Sequence, residues 1–541
     1  MIRLVSRHAA IAVVLLCALL LLTWRLGAVY LWQDEAQTAV LAERMLRYGK
    51  PLAYDGRNVI TMDSLADEDS SSIDQRTGDA DAALRYLVGR GDFRPDTTWV
   101  GHPWGQFVVA GLSLAVLGHG TWQARLPFAL AALATVLLLY VLALRVFADR
   151  TVAVLAAALL VANAYWVLHS RQCRYYALSS LALLLSVAAF LRWQRGARWG
   201  GPLFVLAGWT YFQCDFGSFF PAMGVLAAVA GAASWPRIGR PAVVFAVLGG
   251  TVAPFAWYYG IHARLRNPAS SLEARLAGIV LNANEYVVGL PILALAGWLL
   301  WLGRKELTPE QRRLLSVAIA VIVVTTLWVP LVAPASFHRY LVHLTPLGAL
   351  LSAWTVVRIA DALARIAGQP WARGGVAVLA VVLLGATSVA SRPLAFALTR
   401  HLPLGTGLLR AELGFMARSV FEDRADPNRL TIEWVRSRLQ PGDEVLVNYE
   451  DLPFVFYTDA RVRGGIAAFR AEDRSGPPRF LVLRRSVDFV HWPVFLRQFR
   501  RHPWRLVATG APDVPFGNNP DPAFAQAPAR NREIVVAELA R

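Results

Sequence analysis

The feature that most constrains this chain is a succession of apolar runs, each about as long as a bilayer is thick. A transmembrane helix needs about 20 apolar residues. We place spans at 9–28, 122–146, 151–168, 175–192, 200–214, 217–234, 242–261, 286–303, 313–332, 340–357 and 374–391. Only 17% of the residues are charged, against about 25% in soluble domains. The predicted fold class is a polytopic α-helical membrane protein.

Basic residues set the predicted orientation of these spans. Of 54 basic residues, only Lys50 and Lys305 are lysines. Alternate connections between the spans are rich in arginine, at 145–150, 192–198, 237–240, 304–313 and 358–373. The positive-inside rule assigns such connections to the cytoplasm. Basic residues scattered between apolar runs suit anionic lipid or phosphate, and we expect no nucleic-acid partner.

The opposite ends of the spans should then face outward. Arg3 and Arg7 precede the first apolar run without a small-x-small cleavage site, which predicts an uncleaved signal anchor. Residues 29–121 become one large external loop. Within it, Phe107–Leu117 is too short to span and predicts an interfacial or re-entrant helix. The expected localisation is the bacterial cytoplasmic membrane, with the active site and the C-terminal domain on the periplasmic side.

Two domains are predicted: residues 1–392, the membrane domain with its external loop 29–121, and residues 393–541, a soluble α/β domain. In the external loop, apolar residues at helical spacing between Trp32 and Tyr54 predict an amphipathic helix. In the C-terminal domain, a helix is predicted at 431–439 and strands at 444–448, 479–484, 504–508 and 533–538. Residues 262–285 are expected to form a short external turn.

Two other features predict little chemistry. Residues 63–81 carry seven acidic residues and a serine run, typical of a solvated insertion. Calcium binding is the alternative, although the DxDxDG loop pattern is missing. Cys17, Cys173 and Cys214 form no framework and are predicted to be buried free thiols.

Ionisable and tyrosine side chains at the outer ends of spans are the candidate functional residues, because burying them there is costly unless they pair or act. The set comprises Asp34, Glu35, His102, Arg171, Arg174, Tyr175, Asp215, His338, Arg339 and Tyr340. The predicted topology places all of them on one side of the membrane. Solvated helix starts, interface anchors and snorkelling arginines are the structural alternatives.

This residue set suits phosphate and hydroxyl chemistry. A carboxylate can deprotonate a hydroxyl nucleophile, and arginines can hold a phosphate and stabilise it as a leaving group. Paired carboxylates with a histidine could instead hold a divalent cation. The candidate metal ligands are Glu35 and His102. Nucleotide sugars are absent outside the cell. The set therefore predicts sugar transfer from a polyprenyl-phosphate donor to an envelope acceptor, which could be a protein, a lipid or a glycan.

Five segments also resemble a known family. They are Trp32-Gln33-Asp34-Glu35-Ala36 with Ala42-Glu43-Arg44-Met45-Leu46, His102-Pro103-Trp104-Gly105-Gln106, Trp122-Gln123-Ala124-Arg125-Leu126-Pro127, Ser170-Arg171-Gln172-Cys173-Arg174-Tyr175, and Arg339-Tyr340 with Pro346. In this order they resemble segments of GT-C glycosyltransferases of family 39, which includes protein O-mannosyltransferases and lipid A aminoarabinose transferases. The second segment departs from the family's H/K-P-P-L pattern, since Trp104 replaces its second proline.

The resemblance implies a GT-C fold with about 11–13 transmembrane helices and an inverting transfer. It implies that Asp34 is the general base and that Glu35 supports it or binds a metal. His102 would lie near the lipid phosphate. It also implies phosphate or sugar contacts for Arg171, Arg174, Arg339 and Tyr340.

Three other functions stay open at this point. One is a polyprenyl-pyrophosphate-dependent glycan ligase or polymerase. Another is a lipid-sugar transporter, although transporters usually show paired repeats and polar groups at mid-membrane. The last is an assembly protein whose exported tail binds partners.

Overall fold

The computed structural model describes residues 2–60, 93–234, 239–261, 271–333, 336–368, 372–399, 409–423, 425–447, 449–464, 477–484, 501–514, 520 and 533–540. The acidic insertion at 63–81, with its calcium alternative, lies outside these residues. The chain divides into two compact units. The helical unit comprises Met1–Trp24, Phe128–Trp257 and Leu265–Phe421. The mixed unit comprises Arg25–Pro127, Tyr258–Arg264 and Glu422–Arg541. The domain boundary at 392/393 stays a prediction.

The helical unit consists of apolar helices. In chain order the helices up to residue 258, with those of the external loop, are α1 (Ile2–Thr23), α2 (Gln33–Tyr48), α3 (Gly105–Leu117), α4 (Thr121–Phe147), α5 (Arg150–Ala162), α6 (Ala164–Ser170), α7 (Tyr176–Gln194), α8 (Gly200–Cys214), α9 (Phe216–Ser234) and α10 (Gly239–Tyr258). The next are α11 (Leu272–Asn282), α12 (Leu290–Leu302), α13 (Pro309–Val332), α14 (Thr345–Ala367), α15 (Ala372–Ala386), α16 (Arg392–Thr399) and α17 (Ala411–Phe421). A π-helix, Ala283–Val287, and a 3₁₀-helix, His338–Leu344, lie between them.

Six helical segments among the described residues are long and apolar enough to cross a membrane. They are Thr121–Phe147, Tyr176–Gln194, Phe216–Ser234, Gly239–Tyr258, Pro309–Val332 and His338–Ile366. Two bent helix pairs raise the number to eight if each pair is one span. The predicted number of spans is higher because three predicted spans correspond to shorter helical segments. These are Ala9–Thr23, Gly200–Cys214 and Arg373–Ala386. The polytopic helical fold class is confirmed.

Two predicted spans are bent. The predicted span 151–168 forms α5 and α6, which meet at an angle of 70°. Asn163 lies between them and accepts a hydrogen bond from Trp166 N (2.8 Å), so it caps α6. The predicted span 286–303 is joined to Leu272–Val287 at 75°. The prediction of a turn at 262–285 was therefore wrong for residues 272–282, which form α11.

Four of the arginine-rich connections lie at one end of the helical unit. Arg195 pairs with Glu310, and Arg358 pairs with Glu306 (3.2 Å). Arg373 pairs with Asp149. These contacts bring together connections that are far apart in the sequence, as a common membrane side requires.

The mixed unit contains α2, α3 and a five-stranded sheet. The remaining elements are α18 (Pro427–Arg436), β1 (Glu444–Val447), α19 (Asp451–Tyr457), β2 (Arg461–Gly464), β3 (Phe480–Leu483), β4 (Trp504–Pro512) and β5 (Glu533–Leu539). The strand order is β2-β1-β3-β5-β4. Strands β2, β1 and β3 run parallel, and β5 is antiparallel to both β3 and β4. The predicted α/β class and four of its strands are confirmed.

The core of this unit lies between α18 and the sheet. Ile432 and Val435 of α18 contact buried strand residues such as Val445, Phe480 and Val536. The helix begins four residues earlier than predicted, because the Asp426 side chain accepts a hydrogen bond from Arg429 N (3.0 Å) and caps it.

Candidate active site

The acidic motif lies in the first turn of α2, where carboxylates stabilise the helix dipole. From residue 31 to residue 42, every residue except Asp34 is buried. Asp34 is half-buried, while the neighbouring Glu35 is fully buried at 0% exposure. The two adjacent carboxylates therefore have different environments, and Asp34 is the more accessible one.

Glu35 is held by Arg125 in a two-point contact. Arg125 Nε donates to Glu35 Oε1 (2.7 Å) and Nη2 donates to Oε2 (2.6 Å). Arg125 Nη1 also donates to the carbonyls of Leu26 (2.9 Å) and Val29 (2.8 Å). A bidentate pair of this kind fixes orientation as well as charge. Glu35 thereby fixes the chain that leads into α2.

Gln33, on the other side of Asp34, is bound by the start of α19. Gln33 Nε2 donates to Asp451 Oδ1 (2.7 Å), and Leu452 N donates to Gln33 Oε1 (3.2 Å). Burial raises the pKa of the Asp451 carboxyl to about 6, although its hydrogen bond from Gln33 opposes the shift. Both neighbours of Asp34 in the sequence are thus anchored.

Residues 28–31 are bound by the C-terminal part of the chain. Leu31 N donates to the Tyr457 hydroxyl (3.0 Å). Tyr30 N donates to Asp426 Oδ2 (2.6 Å), and the Tyr30 ring stacks on Tyr457 with centroids 3.8 Å apart. Asn428 Nδ2 donates to the Leu31 carbonyl (3.2 Å). The tail therefore positions the segment that carries the acidic motif.

His102 belongs to a compact aromatic segment that precedes α3. Its ring stacks on Trp99, with centroids 6.0 Å apart. Trp104 Nε1 donates to the Trp99 carbonyl (2.9 Å), and Trp104 N donates to the Tyr259 hydroxyl (3.3 Å). Trp104, which replaces a proline of the family pattern, thus helps to hold this segment together.

The residues suggested as metal ligands do not fit a cation. Both Glu35 oxygens accept hydrogen bonds from Arg125. Within the described ranges no three His, Cys, Asp or Glu side chains come together as a metal site. Metal dependence stays a prediction.

In the helical unit, Tyr175 is the centre of a polar group. Its ring centroid lies 4.6 Å from that of Tyr176. Its ring is 5.7 Å from the Arg174 guanidinium. Asp215 separates α8 from α9 and accepts a hydrogen bond from Ser218 N (3.1 Å). Two of the predicted residues, Arg174 and Tyr175, are thus in contact.

Arg171 and Arg339 have other contacts. Arg171 donates to the carbonyls of Leu21 and Trp24, the latter at 2.8 Å, and so caps the end of α1. The Arg339 guanidinium is 4.2 Å from the centroid of the Phe337 ring. The structure therefore shows a structural role for Arg171, while its predicted phosphate contact stays a prediction.

His338 belongs to an aromatic group at the two helix bends. Its ring centroid is 4.8 Å from that of Tyr165, 5.1 Å from that of Tyr286 and 5.8 Å from that of His169. The Tyr176 ring centroid is 5.3 Å from that of His169 and 4.6 Å from that of Tyr175. Tyr176 therefore connects this aromatic group to the group around Tyr175.

Sequence reasoning missed several of these residues. Tyr165 and His169 lie in a predicted apolar span and its turn, and an aromatic residue there is usually an ordinary packing residue. Gln33 and Tyr457 act through contacts between segments more than 400 residues apart. Arg125 was recognised only as part of a motif. An arginine at the start of an apolar helix is itself a signal, because it needs a buried partner.

Comparison with known proteins supports the fold. No known protein family and no curated protein matches the chain. The chain is similar to the crystal structure of ArnT from Cupriavidus metallidurans in the apo state, with a TM-score of 0.58, 16% identity, and coverage of 99% of this chain and 98% of that one. It is also similar to ArnT bound to undecaprenyl phosphate, with a TM-score of 0.57, 15% identity and 98% coverage of both chains. The chain has the GT-C fold. The assignment to family 39 stays a prediction.

Proposed function

We propose that this chain, with its GT-C fold, is a membrane glycosyltransferase that moves a sugar from a polyprenyl-phosphate donor to an acceptor hydroxyl, with inversion. The half-exposed Asp34 beside the clamped Glu35 carries the proposal. The fold likeness supports it, because one of the similar ArnT structures holds undecaprenyl phosphate. We place the reaction at the outer face of a bacterial cytoplasmic membrane, in line with the positive-inside rule.

In the proposed reaction, Asp34 takes the proton of the acceptor hydroxyl. The oxygen forms a bond to the anomeric carbon of the sugar. The bond between that carbon and the phosphate oxygen breaks, and the electron pair leaves with polyprenyl phosphate. We propose that Arg174, Arg339 and Tyr340 bind this phosphate, since guanidinium groups stabilise the charge that develops on it.

The other candidates receive supporting roles. We propose that Tyr175 and Asp215 bind the sugar hydroxyls, with His338 next to them and His102 near the donor. We propose that Arg171, which caps α1, also contacts the phosphate, because a guanidinium has five N–H donors. We propose that the transferred sugar is a hexose or a pentose.

The test uses the full chain reconstituted in vesicles with radiolabelled polyprenyl-phosphate sugars and an envelope extract. We expect Asp34→Asn to lower transfer at least about 100-fold, the range of general-base catalysis. Asp423→Asn is the matched control, because Asp423 is a surface carboxylate with a side chain 91% exposed. We expect it to retain full activity.

Three outcomes would contradict the proposal. Equal transfer by wild type and Asp34→Asn would remove Asp34 as the base. Transfer from pyrophosphate donors alone would identify a ligase or polymerase. Movement of the intact lipid-sugar across the vesicle membrane, without transfer, would identify a transporter.

A further inference from the structure

The mixed unit contains a large polar groove of about 1410 Å³ whose lining residues have no part in the chemical steps proposed above. One wall is a face of α2, and the other is formed by the ends of α18 and α19. Residues 55–58 and 119–121 complete it. A volume of this size exceeds the usual 300–1,000 Å³ of a small-ligand pocket, so it suits an extended ligand.

The groove lies on a different face of α2 from Asp34. Val40, Glu43, Arg44 and Arg47 line it, and their spacing of three and four residues puts them on one side of the helix. At about 100° per residue, Asp34 is displaced by about 120° from this side. The groove is therefore distinct from the acidic motif.

Arginine side chains dominate the accessible charge of the groove. Arg47, Arg57 and Arg436 line it and are exposed. Within the part of the chain that the structure describes, none of these three forms an ion pair. Three acidic residues line the groove: Asp55 pairs with Arg44 (2.7 Å), Glu43 pairs with His119 (2.7 Å), and Asp459 is exposed. The three exposed arginines therefore outnumber the one acidic side chain that forms no ion pair with a groove residue. The groove thus presents guanidinium groups to an anionic ligand.

Aromatic side chains lie among these charges. Tyr30 and Tyr457 form a stacked pair in the wall, and Phe456 stacks on His119 with centroids 4.1 Å apart. Aromatic residues with a polar tip offer both an apolar face and a hydrogen bond. Aromatic rings can pack against sugar rings, and the arginines can bind acidic substituents. The open groove is therefore suited to a saccharide with acidic substituents.

From these observations we propose that the groove binds the acceptor, and that the acceptor is an anionic oligosaccharide. The role of this saccharide as the acceptor rests on the proposed function. The binding of the saccharide to the groove does not depend on it. One groove residue, Tyr457, also contacts the segment before Asp34. The Tyr457 hydroxyl accepts from Leu31 N (3.0 Å) and bonds to Thr121 Oγ1 (2.6 Å). Tyr457 therefore lines the groove and also holds the segment before Asp34.

The test measures binding by calorimetry to the full chain in nanodiscs, without donor. The probes are trigalacturonate, the neutral trisaccharide maltotriose, and citrate, which has three carboxylates and no sugar ring. We expect trigalacturonate to bind at least about tenfold more tightly than either of the others. We expect Arg57→Ala/Arg436→Ala to weaken it at least about tenfold, since each charge-assisted bond lost costs about that factor.

Two further proteins serve as controls. Arg418→Ala, an exposed arginine of α17 outside the groove, should bind as the wild type does. Asp34→Asn should also bind normally, which separates this proposal from the proposed reaction. If the double variant does not fold, Arg47→Ala gives the same readout. The proposal would be overturned if trigalacturonate did not bind. It would also be overturned if the arginine variants bound trigalacturonate as tightly as the wild type, or if citrate bound as tightly as trigalacturonate.

Discussion

At the scale of single residues, the Arg125–Glu35 pair is the most consequential contact of the acidic motif. Removing one partner of a buried ion pair leaves an uncompensated charge and costs about 3–5 kcal/mol. We therefore expect Arg125→Ala to lower the free energy of unfolding by at least about 3 kcal/mol. Arg505→Ala is the matched control, because Arg505 pairs with Glu538 while its side chain is 68% exposed. Its cost should stay below about 1 kcal/mol. Equal melting temperatures of the two variants, measured in detergent, would contradict this stabilising role of the Arg125–Glu35 pair.

Asp451 provides a second test at this scale. Burial raises its pKa from 3.8 to about 6, so the folded chain binds this proton more tightly than the unfolded chain. Its contribution to stability is full below pH 4 and is lost as the pH rises through 6. Asp451→Asn keeps an acceptor for Gln33 but cannot ionise. The unfolding free energy of the wild type should therefore fall between pH 4 and 6 relative to that of the variant. Parallel pH curves would refute this.

The acidic pair itself could be predicted from the sequence, but the division of labour inside it could not. Asp34 and Glu35 are both carboxylates at the start of a helix, and only the fold determines that Arg125 reaches one of them. Sequence spacing is informative over a few helical turns. It carries no information about a contact between Gln33 and Asp451.

At the scale of elements, the hydroxyl of Tyr457 in α19 holds the segment before the acidic motif, while the start of the same helix binds Gln33. Tyr457→Phe keeps the stacking on Tyr30 but removes the hydrogen bonds to Leu31 N and Thr121 Oγ1. We expect kcat to fall about tenfold, the effect of a free-energy change of about 1.4 kcal/mol, with the KM for the donor unchanged within about twofold. Tyr54→Phe, which loses a surface bond to the Gly56 carbonyl (2.9 Å), should have wild-type kinetics. A change in KM with constant kcat would contradict a positioning role.

The elements that the sequence predicts well are those with a local pattern. Helix α2 follows from the spacing of its apolar residues, and the short α3 follows from an apolar run of limited length. Strand β2 was missed because Arg461-Val462-Arg463-Gly464 is short and charged. The bends after α5 and before α12 were missed as well. A single Asn163 or Gly289 within an apolar run does not distinguish a bend from a straight span.

At the scale of the whole molecule, the ion pairs among arginine-rich connections support one shared membrane side for them, and orientation can be tested directly. In a Cys17→Ser background, since Cys17 is exposed while Cys173 and Cys214 are buried, single cysteines would replace Glu306 and Lys50. Glu306 lies in an arginine-rich connection, with a side chain 75% exposed. Lys50 follows α2 in the predicted external loop, with a side chain 39% exposed.

A membrane-impermeant maleimide applied to intact cells should label Lys50→Cys and not Glu306→Cys, because positive connections stay in the cytoplasm. After the cells are permeabilised, both should be labelled, which controls for reactivity. The reverse pattern would put Asp34 on the cytoplasmic side. A nucleotide sugar could then serve as donor, and the reason for a lipid-linked donor would disappear.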